Sequence, residues 1–94
     1  MAVERLGPDE LRQADHVDAW VIDDEVVLYD PRRARMHVCN ATAALIWQLC
    51  DGEHDVDSIV AEVAAHYPAV SPTAIAADVA VLVATMRAEE IVSS

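Results

Sequence analysis

His37, Cys39, Cys50 and His54 fall within one short stretch, MHVCNATAALIWQLCDGEH. Imidazole and thiolate are the ligands zinc prefers, and a thiolate beside an imidazole is the pairing a nucleophilic cysteine needs. The spacing argues against both. The run from Ala41 to about Cys50 reads as a helix. At about 1.5 Å of rise per residue, it holds the two cysteines roughly 16 Å apart along its axis. One zinc ion needs each sulfur ligand at about 2.3 Å, and a disulfide needs Cα atoms within about 7 Å. His37 and Cys39 share a strand face, but side chains two apart on a strand stand roughly 7 Å from each other. No orienting third group accompanies them, and no oxyanion-hole motif. Both cysteines therefore read as reduced, buried, small apolar side chains. The carboxylates are scattered over turns and caps, and Gly7 and Gly52 are the only glycines, so no phosphate loop is present. No catalytic residue, metal or cofactor is expected on these grounds. A small metal or redox protein built on the four residues remains the rival that elemental analysis would test.

The elements that would position these residues are legible in the same sequence. Val17, Ala19 and Val21 alternate with Asp18, Trp20 and Ile22, the period of a strand. Asp23-Asp24 is a turn, EVVLYD a β-branched strand, DPRR a second turn with Pro31 pre-set for it, and ARMHV a third strand. Three helices follow. Asn40, Asp55 and Ser71 are their N-caps, with Pro72 at the first helical position of the third. Asp51-Gly52 is expected to end the first helix and Pro68 the second. Val56, Ile59, Val60, Val63, Ala64 and Tyr67 form one apolar face of the second helix. In the third, Ile75, Val79, Leu82, Val83 and Met86 form a core face. Ala77, Val81, Ala84 and Ala88 form a second stripe where a surface helix should be polar. Trp20 and Trp47 are expected in the core, and Ile91-Val92 against the sheet. The fold class is α+β: a three-stranded antiparallel sheet followed by three helices, winged helix-turn-helix-like. Residues 1–13 read as a flexible arm and 14–94 as a single domain.

Composition narrows the function. A chain of 94 residues holds one modest core. Its net charge is −11, with 17 acidic residues against six arginines and no lysine. Nucleic acid and anionic membranes are bound by neutralising cations, so neither is an expected partner. The same charge argues against a DNA-binding winged helix. Basic peptides or protein surfaces remain open. Neither a signal peptide nor a membrane-length apolar run is visible, which points to the cytoplasm. Arg32, Arg33 and Arg35 cluster at the second turn, either as a solvated turn or for an acidic segment. A three-stranded sheet leaves strand edges unpaired, and an unpaired edge accepts an extended peptide. If the third strand is an edge beside the third helix, the small-residue stripe would leave a groove there. Alternatively, the stripe could pair two copies, giving a monomer or weak homodimer.

The order EVVLYDP, ARMHVCNATAALIWQLCDGEHDVDSIVAEVAAHYP and IAADVAVLVATMRAEEIV resembles the PqqD-like proteins, or RiPP recognition elements. These serve ribosomally made, post-translationally modified peptides. The resemblance spans roughly Trp20 to Val92, and is most specific over Asn40 to Gly52 and at Asp78-Val79. It implies a non-catalytic peptide chaperone. Such a protein binds the leader segment of a precursor peptide as an added strand and presents it to a modifying enzyme. That enzyme would be a leader peptidase or cyclase, as for lasso peptides, or a radical SAM enzyme, as in pyrroloquinoline quinone synthesis. Carried to this chain, the docking strand is Arg35, Met36, His37 and Val38, and the helix wall contains Asp78, Val81, Leu82 and Thr85. The sequence departs from the family pattern in three places. Cys39-Asn40 stands for the usual Leu-Asn, Met36 or His37 for a strand aromatic, and Glu90-Ile91 for a closing Gly-Leu. An acidic winged-helix interaction or regulatory domain, acting on no precursor peptide, is the alternative.

Overall fold

The structure, a computed structural model, describes residues 11–93. Strand β1 is Leu11–Gln13, β2 Asp18–Ile22, β3 Glu25–Asp30 and β4 Arg35–Cys39. Helix α1 is Ala41–Leu49, followed by β5 at Asp51–His54, α2 at Val56–His66, α3 at Pro72–Ala88 and β6 at Val92–Ser93. The expected meander forms as an antiparallel sheet in the order β2-β3-β4. Asp23, at φ 57°, turns β2 into β3. Between β3 and β4, the Asp30 carboxylate accepts the amides of Arg32 at 2.9 Å and Arg33 at 3.3 Å, an Asx-type turn around Pro31.

A second antiparallel sheet, β5-β1-β6, has no counterpart in the expectations above. Its strands have two to four residues, too few for an alternating pattern to register. Residues 11–13, placed in the arm, are β1, and Leu11 is fully buried. Residues 1–10, the rest of that arm, lie outside the described residues. Gly52 does not close α1, whose C-cap is Cys50. Its φ of 88° instead bends β5, which carries Gly52 and Glu53 between the partners of Leu11 and Arg12. Gln13 binds this sheet to α1, donating from its amide to the Cys50 carbonyl and from its side chain to that of Trp47.

Each N-cap acts at its expected position. Asn40, Asp55 and Ser71 accept the amides of Ala43, Ser58 and Ala74. The core joins Val26 and Leu28 of β3 to Ile46 and Trp47 of α1, Ile59 and Val63 of α2, and Val79, Val83 and Met86 of α3. Burying a Leu, Ile or Val side chain stabilises by about 2 kcal/mol, so these few residues decide the fold. Trp47 is buried, and its indole donates to the Ile91 carbonyl at 3.4 Å. Trp20, by contrast, is 52% exposed. Its register opposite Val27 puts it on the face of the sheet that no helix among the described residues covers.

Candidate functional site

β4 pairs with β3 on one side only. Its other edge carries no strand among the described residues, so its free amides and carbonyls face outward beside α3. The strand alternates. Arg35, His37 and Cys39 lie on the face shared with buried Leu28 and Val26, while Met36 and Val38 lie on the opposite face. Where β4 runs into α1, a groove of about 500 Å³ opens between it and α3, lined by Val38, Asn40, Thr42, Asp78, Val81 and Leu82. Val38 and Val81 are 67% and 65% exposed. Two large apolar side chains this bare beside an open strand edge form a surface that gains by being covered.

The other end of β4 is closed by charge. Glu89, the C-cap of α3, gathers two guanidinium groups and an imidazole: Arg35 at 3.4 Å, Arg33 at 3.8 Å and His37 at 3.9 Å. Arg33 also reaches Glu90 at 3.1 Å. Two of the three arginines in the cluster, Arg33 and Arg35, are therefore already engaged by the chain's own carboxylates, and the network fastens β4 to the end of α3.

The structure brings Val38, Asp78, Val81 and Leu82 together at the groove. Arg35 and His37 sit at the Glu89 junction, and Met36 projects to the uncovered sheet face. Thr85 does not line the groove; its hydroxyl donates back to the Val81 carbonyl at 2.9 Å. Asn40 and Thr42 were missed as lining residues because the cap role of Asn40 masks its place at the groove. Glu89 was missed because nothing local marks a carboxylate that is met by Arg35, 54 positions away.

The four histidine and cysteine positions are dispersed. Cys39 and Cys50 are buried free thiols. Burial raises the pKa of both, and that of Cys50 is pushed up to about 12 by burial together with the neighbouring Asp51 charge. Such thiols stay protonated and are poor nucleophiles. His54 pairs with Asp51 at 2.9 Å. That hydrogen bond raises the His54 pKa and lowers that of Asp51.

An antiparallel sheet with a strand edge open against a helix-walled groove is the architecture of a domain able to take up an added strand. The family model for coenzyme PQQ synthesis protein D (PqqD) matches residues 25–92, and the chain belongs to that family. Two solved structures share its fold. One, described as lasso peptide synthetase B1 complexed with the leader peptide, is 26% identical with a TM-score of 0.77. The match covers 90% of this chain and 99% of that one. The other, TbiB1 in complex with the TbiA(beta) leader peptide, is 24% identical with a TM-score of 0.79, covering 88% and 95%. No curated protein sequence matches.

Proposed function

We propose that this chain is a non-catalytic RiPP recognition element. It binds the leader segment of a ribosomally made precursor peptide as a strand added to β4, against α3, and presents it to a modifying enzyme. The observation that carries the reading is the unpaired edge of β4 beside the groove of Val38, Asp78, Val81 and Leu82. Membership of the PqqD family and likeness to a lasso peptide synthetase B1 solved with its leader support it. The added strand gains main-chain hydrogen bonds from β4, and its alternate side chains cover Val38 and Val81. The partner enzyme is a leader peptidase, a cyclase or a radical SAM enzyme, and the likeness to B1 favours the lasso setting. The site of action is the cytoplasm, in keeping with two free buried thiols.

Titrating the 15N-labelled chain with the leader encoded beside it should move the amides of residues 35–38 and 78–85. Val38→Asp or Val81→Asp should weaken binding by about tenfold or more, since each buries a charge beneath the added strand. An unchanged spectrum at high micromolar leader would refute the reading.

A further inference from the structure

Among the described residues the sheet has a second open edge, β2, whose five residues are all exposed. Register puts Ala19 and Val21 on the same side as buried Leu28 and Val26. Both are nevertheless exposed, Val21 at 67%. The helices cover β3 and stop short of β2. A cleft of about 340 Å³ remains between β2, α1 and the end of α2, its floor made by Val21, Val26, Ala44 and Leu45 and its walls by Asp23 and Asp24 on one side and His66 and Tyr67 on the other. Edge strands are normally guarded by charged side chains, lysine above all, by proline, by a bulge or by a covering element, and the one charge within this strand is Asp18, at its start. Asp18–Ile22 contains neither lysine nor proline and pairs with β3 without a bulge over its whole length.

We propose that the β2 edge, with its cleft against α1, is a second strand-accepting site, distinct from β4, and that its occupant is an extended basic segment of a partner protein. The outer amides and carbonyls of β2 supply the pairing. Ala41 and Ala44 leave room under Val21 for an apolar side chain of the incoming strand. Charge selects the occupant. Asp18, Asp23 and Asp24 flank the edge, and the cleft is lined by two aspartates and no arginine, with His66 at its far wall. A segment with Lys or Arg at its ends and apolar residues between them complements this surface. A second copy would instead set the same aspartates of both chains along one seam, in a protein already at −11. This inference does not depend on leader binding at β4.

The test titrates the 15N-labelled chain with acetyl-Lys-Val-Thr-Val-Thr-Lys-amide, and with the same peptide carrying Glu for Lys. The lysine peptide should shift the amides of residues 18–22 and 41–45. It should bind at least about tenfold tighter than the glutamate peptide at about 50 mM salt, and lose most of that advantage at about 0.5 M. The pair Asp23→Lys, Asp24→Lys should remove the preference. Val21→Asp should weaken both peptides while leaving leader-induced shifts of residues 35–38 unchanged. Several results would overturn the proposal: no shift of residues 18–22 at millimolar peptide, equal binding of both peptides, or shifts confined to β4. So would concentration-dependent shifts of residues 18–22 without peptide, which would assign the edge to a second copy.

Discussion

At the scale of single residues, two positions combine an unusual conformation or environment with a clear purpose. Glu90 sits at φ 61°, in the left-handed region, one residue past the C-cap of α3. The Ile91 amide bonds back to Met86 and the Glu90 amide to Arg87, the pattern of a Schellman cap. Glycine is the usual residue there, and a β-carbon costs about 1 kcal/mol. Glu90→Gly should therefore raise the melting temperature by a few degrees in calorimetry, because the exposed Arg33 pair it gives up is worth less. Asp30 is the one buried carboxylate among the described residues. Its burial raises the pKa, but the Arg32 and Arg33 amides and His16 outweigh this and hold the carboxyl below its ordinary value. A depressed carboxylate pKa stabilises above the unfolded value of about 3.9 and is lost as pH falls through the folded one. Asp30→Asn should thus be less stable than the parent at pH 7, and the gap should close below about pH 4 in pH-dependent thermal melts. The proline turn around Asp30 was legible from the residues DPRR. The left-handed Glu90 was visible only as a departure from the family's Gly-Leu.

At the scale of elements, the helices were the most legible part of the chain. Caps and 3.6-residue periodicity are local, so Asn40, Asp55, Ser71 and the apolar faces mark each helix without tertiary information. Asn40→Ala should cost about 1 kcal/mol and lower the melting temperature by roughly 4–8 °C, through the lost bond to the Ala43 amide. The short strands β1, β5 and β6 were not legible. Leu11 is an unremarkable leucine until Cys50 and Ile91 supply partners for the amides that follow it. The second stripe on α3 was visible as an anomaly, and its four residues are all exposed. Which of them border the groove depends on where β4 lies. Val81 does, beside Leu82 of the core face.

At the scale of the whole molecule, charge and architecture work separately. A net charge of −11 spread over a small domain repels itself. Raising salt from about 10 mM to 0.5 M should therefore raise the melting temperature, as screening shortens the reach of that repulsion; a flat or falling trend in calorimetry would show the acids to be locally compensated. No helix among the described residues is long and apolar enough to cross a membrane. What the sequence determined by itself was everything set by near neighbours: the meander, the three capped helices, the buried cysteines, and an apolar excess on α3 that needed a partner. Tertiary structure alone decided which strand edges stay open, that Trp20 faces outward while Trp47 packs inward, and that Glu89 ties Arg33, Arg35 and His37 to the end of α3. Those outcomes rest on contacts between residues far apart in the chain. Local periodicity carries no record of such contacts, because the same pattern suits any arrangement in which the apolar faces meet.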